Sequence, residues 1–434
     1  MPYYNRLSKK ARSAISNVNT TQWILALFIW SLCVQFLFNV FVVELDSNLS
    51  GDELGYNAIA TNLVSQQQFV SDDGDPNWPQ AKSLRPPVFP FYLALIYRGF
   101  GLGNYTAVKI GQSIIGALLC VVLFILAQRT FDKRTGLLAG FVASVYPYLV
   151  YYSSQLRPEP LYLLCVYSSA VLFIRFIETR RLVSGIIAGM CWGIAVLTHS
   201  DWLLTMPLFF IWGVLSLRKD RHGLLDLLPV FTIVFAIVLP WIWRNYLVHD
   251  AFVPVSTNLG VTIAGANNPA IVKDPILRGH WLPPEDIAQF VGDLSGLSEV
   301  ERDKVQVQYA LTFIQQNPMD FLTLGIWRLI RHWHFYYPAT HDSLPELAAL
   351  VFYFIVLFLA TVGTIRLFML RRMTGFVYFA FVLFIFTNTI AFVIRGGTRY
   401  RLLIDPSLIT LASYAVTSIL GTPLKRPRQR DSSQ

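Results

Sequence analysis

The chain contains 434 residues, of which 54% are hydrophobic and 14% are charged. Ordinary soluble domains carry about 25% charged residues. This composition therefore excludes an ordinary soluble domain and predicts a membrane protein with many spans. The formal net charge of +9 does not indicate a nucleic-acid partner, because nucleic-acid binding requires a basic face on a soluble domain.

Apolar runs divide the chain into about ten segments that approach the roughly 20 residues needed to span a bilayer. They lie at 22–43, 106–128, 136–152, 158–177, 183–199, 202–217, 224–243, 345–369, 375–394 and 407–420. We expect an all-α polytopic fold, since helices satisfy their backbone hydrogen bonds within lipid. The first run is longer than a cleavable signal and lacks a small-residue cleavage pattern, so it predicts a retained anchor.

Clusters of Lys and Arg mark every second loop, and such clusters stay on the cytoplasmic side of short loops. They predict cytoplasmic termini and outer loops at 44–105 and 244–344. The expected order is a cytoplasmic N-terminus (1–21), a transmembrane core with its outer catalytic loop (22–243), a second outer loop (244–344), C-terminal spans (345–420) and a basic cytoplasmic tail (421–434). Because the inner loops are short, we expect any sizeable site on the outer side.

The first outer loop contains an amphipathic helix with two acidic residues at its start. Its apolar positions recur at helical spacing and are Tyr56, Ile59, Ala60, Leu63 and Val64. Next to a span, such a helix is expected to lie flat in the membrane interface. Ser50 and Glu53 have the spacing of a capping box. Asp52 is therefore either a helix-start residue that satisfies free amides or a catalytic base at the membrane surface.

Charged and polar residues recur at the outer ends of the spans. They are Arg85 before an apolar segment, Arg157 and Glu159 in one short turn, His199 in a polar break, Arg244 at a span end, and Arg399 and Arg401 in a last turn that carries three arginines and two glycines. Arginines in outer loops are exceptions to the rule that Lys and Arg stay on the cytoplasmic side, and charges at membrane depth tend to be functional. Structural alternatives stay open. Arg85 could snorkel, and His199 could be a satisfied buried histidine.

The second outer loop shows weaker patterns. A surface helix is predicted at 300–316 and an interfacial helix at 320–337, separated by Asn317-Pro318. Residues 260–269 are rich in turn formers, and residues 282–300 fit neither helix nor strand.

No pattern predicts a metal site. His332 and His334 lie two apart, so on a helix they face different ways. Asp73 and Asp75 are typical of a solvated turn. The four cysteines fall inside predicted spans, without disulfide or zinc spacing.

Together, the outer acids and arginines are suited to one chemistry. Guanidinium groups stay charged and bind phosphate oxygens in bidentate fashion, while a carboxylate can take the proton of an attacking hydroxyl. A phosphate leaving group needs electrostatic stabilisation more than protonation. The set therefore describes transfer of a sugar from a lipid phosphate to an acceptor hydroxyl.

The order of these motifs resembles the GT-C glycosyltransferases, and in particular the branch of the protein O-mannosyltransferases and the lipid A aminoarabinose transferase. The motifs are Asp52-Glu53 at a helix start, Arg85-Pro86-Pro87, Arg157-Pro158-Glu159, Arg244-Asn245-Tyr246 and the segment from Arg399 to Pro406. The resemblance implies a GT-C-type transmembrane helix bundle with interfacial helices in its outer loops. It also implies that Asp52 is the general base, that Glu53 is its neighbour in the acceptor or metal region, and that Arg85 binds the donor phosphate.

The remaining assignments complete the expected site. The donor-phosphate ligands are expected to be Arg85, Arg157, Arg244, Arg399 and Arg401, with Glu159, Tyr56 and His199 in support. The sequence requires no metal and leaves a divalent cation open. Expected partners are a polyprenyl-phosphate sugar, an acceptor glycan, lipid or protein, and the bilayer. We expect a bacterial-type plasma membrane ahead of the endoplasmic reticulum.

Two other functions stay open at this point. A flippase or transporter of an anionic or lipid-linked substrate would use the same arginines as a pathway and the break at His199 as a gate. A non-catalytic membrane subunit would not need Asp52.

Overall fold

A computed structural model describes residues 19–43, 49–72, 80–217, 225–334 and 344–421. Within these ranges the secondary structure is helical, apart from a single antiparallel bridge between Ser71 and Ala81. This confirms the predicted all-α fold. The basic N-terminus and tail, the loop at 218–224, Asp73, Asp75 and the predicted helix end at 335–337 lie outside the described residues.

The first half of the chain forms long helices joined by short turns. They are α1 (Thr20–Phe38), α2 (Asp52–Ser65), α3 (Val88–Phe100), α4 (Tyr105–Thr130), α5 (Lys133–Val145), α6 (Pro147–Ser153), α7 (Glu159–Thr179), α8 (Leu182–Thr198), α9 (Met206–Leu217) and α10 (Leu227–His249). A short π-helical segment (Asn39–Val43) follows α1, and a 3₁₀ turn (Ser200–Thr205) precedes α9.

The second half contains a series of short helices followed by long apolar ones. They are α11 (Leu259–Ala266), α12 (Pro269–Lys273), α13 (Pro284–Val291), α14 (Glu299–Gln316), α15 (Pro318–His332), α16 (Leu344–Met369), α17 (Gly375–Val393), α18 (Thr398–Arg401) and α19 (Asp405–Leu420).

Seven helical segments in the described ranges are long and apolar enough to cross a membrane. They contain α1, α4, α7, α9 with its 3₁₀ turn, α10, α16 and α17, and the chain is a multi-pass integral membrane protein. Three predicted spans take other forms. The run at 136–152 is interrupted at Tyr146, because Pro147 cannot continue the hydrogen-bond ladder of α5. Helices α8 and α19 have 17 and 16 residues, respectively.

Helix α19 lies inside the bundle, packed against α16 and α5. Every residue from Asp405 to Ala415 is buried. Its hydroxyls are satisfied within the helix, since Thr410 donates to the Pro406 carbonyl at 2.9 Å and Ser413 to the Ile409 carbonyl at 2.8 Å. A helix that is surrounded by protein can carry these polar residues because they are not exposed to lipid.

Helix α2 is an integral part of the packed structure. The stripe residues Tyr56, Ile59 and Ala60 are buried as predicted, and the Tyr56 ring meets Phe89 of α3 edge to face at 5.1 Å. Glu53 and Asn62, which flank this stripe, are buried as well, whereas Leu54 on the opposite side is exposed. Protein therefore covers the apolar stripe and its flanks and leaves the opposite side of the helix open.

The predicted capping box is half formed. Glu53 Oε2 accepts the Ser50 amide at 3.1 Å, but the N-cap residue is Gly51 and no side chain caps the helix. Asp52 is the first helical residue, so its side chain remains available for other partners.

The second outer region differs from the prediction in two places. Residues 260–269, predicted as turns, contain most of α11, and the unplaced stretch contains α13. The helices at 300–316 and 320–337 correspond to α14 and α15, with the expected break at Asn317-Pro318. Arg328 of α15 is fully buried and donates to the carbonyls of Phe392 and Val393 at 2.8 and 3.1 Å. It therefore joins α15 to the end of α17.

Candidate active site

A cavity of about 660 Å³ lies where the ends of several helices meet. Its wall includes the start of α2, the loop before α3, the turn before α7, the break after α8, the second outer loop and the turn before α18. The charged side chains that line it are Asp52, Arg85, Arg157, Arg395 and Arg399, together with His199. Among the described residues, the wall thus carries four arginines and one carboxylate.

Both oxygens of Asp52 contact guanidinium groups. Arg85 Nη2 donates to Oδ1 at 2.8 Å, and Arg399 Nη1 donates to Oδ2. Burial acts to raise the pKa of Asp52, but Arg85, Arg399 and Arg157 outweigh it and hold that pKa well below its usual range. Asp52 is therefore an ionised carboxylate held by two cations. The capping alternative does not account for these contacts, because they are made to side chains and not to free amides.

Arg399 joins two acidic residues from different helices. Its Nε donates to Glu159 Oε1 at the start of α7, while its Nη1 holds Asp52 at the start of α2. The two glycines of the last turn allow this placement. A Cβ on Gly396 would collide with the Arg328 carbonyl oxygen, and Gly397 has a φ of 127°, in the left-handed region. Arg399 is thus positioned by the backbone that Arg328 anchors.

Glu53 does not line the cavity. It is buried, its two oxygens accept the amides of Ser50 and Leu156, both at 3.1 Å, and it lies 4.0 Å from Arg157 Nε. These bonds join the start of α2 to the turn before α7. The structure therefore gives Glu53 a positioning role, because both oxygens accept backbone amides, in place of the position in the acceptor or metal region that the resemblance implies.

The ring of Tyr56 packs against the guanidinium group of Arg85. The Arg85 guanidinium lies 5.3 Å from the centre of the Tyr56 ring, a cation–π arrangement. Burial raises the pKa of Tyr56 to about 12, so its hydroxyl stays protonated at neutral pH. Tyr56 also lines the cavity, and its supporting role stays a prediction.

His199 occupies the predicted polar break between α8 and the 3₁₀ turn. Its Nδ1 is bonded to Asp201 Oδ1, and its ring stacks on Tyr162 at 4.9 Å. Burial lowers the pKa of His199, but Asp201 more than compensates, so the net shift is upward. His199 is therefore a satisfied histidine paired with a carboxylate, and it also forms part of the cavity wall. Asp201 is not among the predicted site residues, although it follows His199 by two residues.

Two of the predicted phosphate ligands lie elsewhere. Arg244 donates from Nη1 to the Lys82 carbonyl at 2.8 Å and to Ser83 Oγ at 2.9 Å, and its guanidinium covers the Trp241 ring at 4.7 Å. It fastens the loop at 80–83 to α10. Helix α10 continues to His249, so Arg244 lies within the helix and not at its end.

Arg401 is fully buried beneath the site. It pairs with Asp405 at 3.1 Å and lies between the rings of Tyr148 and Tyr353, at 4.9 and 3.6 Å. Arg401 follows Arg399 by two residues on α18, and residues two apart on a helix face different ways. Arg244 and Arg401 therefore have structural roles and do not line the cavity.

The structure adds Arg395 to the wall. Its guanidinium lies 4.8 Å from the centre of the Trp281 ring. The sequence signal was present, since Arg395 belongs to the same outer turn as Arg399. What the sequence could not show is the partner, because Trp281 lies more than a hundred residues earlier in the second outer loop.

The described residues contain no group of three or more His, Cys, Asp or Glu that could hold a metal ion. Asp52 and Glu159 are joined by Arg399. The four cysteines are free.

Comparison with known proteins identifies the family that the central part resembles. Residues 84–243 match the family described as "Dolichyl-phosphate-mannose-protein mannosyltransferase". The matched stretch contains Arg85, Arg157, Glu159 and His199, and it does not extend to Asp52. No curated protein matches the chain.

Solved structures match over nearly the whole chain. The archaeal oligosaccharyltransferase AglB from Archaeoglobus fulgidus, in complex with an inhibitory peptide and a dolichol-phosphate, aligns with a TM-score of 0.56 and 16% identity, covering 92% of this chain and 50% of that one. The apo oligosaccharyltransferase of the same organism gives a TM-score of 0.56, 13% identity, and coverage of 92% and 51%. This chain therefore spans about half the length of those proteins.

ArnT from Cupriavidus metallidurans, bound to undecaprenyl phosphate, aligns with 14% identity over 92% of this chain and 78% of that one, at a TM-score of 0.46. At such identities, the AglB alignments show the fold alone. They show that this chain shares a helix-bundle fold with those oligosaccharyltransferases, in agreement with the predicted all-α bundle.

Proposed function

We propose that this protein is a membrane glycosyltransferase that moves a sugar from a polyprenyl phosphate to an acceptor hydroxyl. One observation carries the proposal: a single cavity brings a carboxylate together with four arginines from separate parts of the chain. Such a wall attracts an anion, and guanidinium groups suit the paired oxygens of a phosphate. The AglB fold, seen there with a dolichol-phosphate, and the family match at 84–243 support a lipid-phosphate donor.

In the proposed reaction, the acceptor oxygen attacks the anomeric carbon of the donor sugar. The bond between that carbon and the phosphate oxygen breaks, and the phosphate leaves with the bonding electrons, still attached to its prenyl chain. The acceptor hydroxyl loses its proton to Asp52 as its oxygen forms the new glycosidic bond. The leaving phosphate gains one negative charge, which the arginines of the wall stabilise.

The ion pairs of Asp52 give this scheme an order. Arg85 and Arg399 hold the carboxylate so tightly that it is a weak base in the absence of substrate. A donor phosphate competes with Asp52 for the same guanidinium groups, and each guanidinium that turns to phosphate makes Asp52 a stronger base. The proposed order is therefore donor first and acceptor second.

We also propose that the cavity opens on the non-cytoplasmic side. The loop charges of the sequence favour this orientation, and a polyprenyl-linked sugar brings its own membrane anchor to a site at that height. A nucleotide sugar would have to cross the membrane first. We further propose a bacterial-type plasma membrane as the location.

The test uses the purified full chain in nanodiscs with polyprenyl-phosphate sugars and, separately, with UDP- and GDP-sugars. We expect transfer to an acceptor, or hydrolysis of the donor, with the lipid-linked sugars alone. Asp52→Asn should lower this activity by about two to four orders of magnitude, the usual loss when a general base is removed. Net movement of the lipid-linked sugar between leaflets without cleavage would instead identify a flippase.

A matched variant controls for the loss of a carboxylate. Asp303→Asn removes a half-buried acid of α14, which accepts the Gly260 amide at 2.6 Å outside the cavity. This variant should keep the transfer activity. If Asp52→Asn and Asp303→Asn are both fully active, Asp52 has no catalytic role and a non-catalytic subunit becomes the better interpretation.

A further inference from the structure

We infer that Arg395, stacked on Trp281, is the first binding site for the donor phosphate, ahead of the arginines that hold Asp52. This inference rests on the proposed function and assigns the phosphate to a residue that the sequence analysis did not select. It follows from how the charges of the cavity are paired.

Three of the four cavity arginines face a carboxylate. Arg85 contacts Asp52, Arg399 contacts both Asp52 and Glu159, and Arg157 lies 4.0 Å from Glu53. Arg395 has no carboxylate partner among the residues that the structure describes; its guanidinium faces the Trp281 ring. The cavity thus holds three arginines in acid–base contacts and one positive charge in excess.

The positive charge of Arg395 also acts on the neighbouring side chain of His280. The pKa of His280 is lowered by burial and then by the positive charges of Arg331 and Arg395. An incoming anion can therefore reach Arg395 without breaking an existing ion pair, whereas binding to Arg85 or Arg399 requires Asp52 to give up a partner.

Trp281 holds the Arg395 guanidinium against the cavity wall. The indole Nε1 donates to the Val261 carbonyl at 3.2 Å, and Gly265 leaves the space for the ring, since a Cβ there would collide with the indole nitrogen. Stacking fixes the plane of the guanidinium and leaves its edge for hydrogen bonds. A preorganised planar donor suits the two free oxygens of a phosphodiester.

The charge of the donor matches this arrangement. A sugar–phosphate–prenyl diester carries one negative charge, equal to the excess charge at Arg395. When the bond to the sugar breaks, the phosphate becomes a monoester with a second charge. That charge can be shared with Arg85 and Arg399, while Asp52 takes the acceptor proton and no longer needs both guanidiniums.

The inference can be tested on the wild-type chain by chemical modification. Phenylglyoxal, which reacts with accessible guanidinium groups, would be applied in nanodiscs with and without polyprenyl monophosphate, and the modified arginines identified by mass spectrometry. We expect Arg395 to react without the lipid and to be protected by it. Equal modification of Arg395 with and without bound lipid would overturn the inference.

Variants provide an independent measurement of lipid affinity. Arg395→Ala should weaken binding of polyprenyl monophosphate by about 10- to 100-fold, as expected for one charge-assisted hydrogen bond, and Arg395→Lys should restore part of the loss. The control is Arg302→Ala on α14, outside the cavity, where Arg302 Nε donates to the Leu297 carbonyl. We expect the control to bind lipid as the wild type does.

The outcomes separate the two proposals. If the wild type fails to bind polyprenyl monophosphate at all, the proposed function itself fails. If the wild type binds it and Arg395→Ala binds equally well, the function stands and the assignment to Arg395 is wrong. Loss of binding in Arg395→Ala together with retention in Asp52→Asn supports the inference, since Asp52 does not contact the phosphate in this scheme.

Discussion

The bridge that Arg399 forms between Asp52 and Glu159 makes a quantitative prediction about stability. Arg399→Met removes the cation and keeps most of the side-chain volume. Glu159 is then a buried carboxylate without the partner that the structure gives it, whereas Asp52 keeps Arg85. We therefore expect Arg399→Met to be strongly destabilising and Glu159→Gln to be milder, because Arg399 retains Asp52 in that variant.

The size of the effect follows from burial. The side chains of Arg399 and Glu159 are 20% and 4% exposed. Breaking a buried pair costs about 3–5 kcal/mol, and an exposed pair contributes about 0.2–1 kcal/mol. The partial exposure of Arg399 places the interaction between these limits, so we expect a coupling free energy of about 2 kcal/mol. The double variant Arg399→Met/Glu159→Gln should then be more stable than Arg399→Met alone.

The assay is a double-mutant cycle in detergent, with the unfolding of wild type, both single variants and the double variant followed by tryptophan fluorescence. Additive effects, with a coupling within about 0.5 kcal/mol of zero, would refute the reasoning. They would mean that the contact between Arg399 and Glu159 is not made in the folded protein. The control pair is Arg244 with Glu159, which belong to different clusters and should show additive effects.

The remaining predictions concern pH, the donor ligand and topology. The folded pKa of Asp52 lies below its ordinary value of 3.8, so its contribution to stability is complete above that value and is lost only as pH falls toward the folded pKa. A melting curve at pH 5 should therefore show the same stabilisation by Asp52 as one at pH 7. Arg85→Ala should raise the pKa of Asp52 and so move the acid limb of the pH–rate profile to higher pH. Arg85→Lys should recover only part of the activity and donor affinity lost in Arg85→Ala, because a lysine cannot make a planar two-donor contact; full recovery would favour a snorkelling role. Single cysteines at the exposed positions Ser65 and Ser295 should react with impermeant reagents in intact cells, and labelling only after permeabilisation would reverse the proposed orientation.

The sequence predicted the fold class and most helices because those depend on local patterns. Apolar length alone indicates a span, and a proline after an asparagine ends α14 at the predicted place. It misjudged residues 260–269, where turn-forming residues are held in helix α11 by packing against α14. Local propensity is a weak signal there, since tertiary contacts override it.

The sequence predicted which types of residue form the candidate site, but not which arginine pairs with which carboxylate. Residue type and membrane side identified Asp52, Arg85 and Arg399 as outer charges, and the structure brings these three together. The same criteria could not separate them from Arg244 and Arg401, which are equally basic and equally near a span end.

What distinguishes these arginines is the acceptor that each one meets. Arg244 meets backbone carbonyls and therefore stabilises a loop, while Arg401 meets a buried aspartate and two aromatic rings and therefore stabilises the core. Arg399 meets two carboxylates at the edge of a cavity, so its charge is balanced but remains reachable. Arg395 meets only an aromatic face among the described residues, and its charge stays available to a ligand. In the proposed mechanism, function at this surface depends on the order in which the arginines release their partners, and that order is a property of tertiary contacts separated by up to 347 positions in the chain.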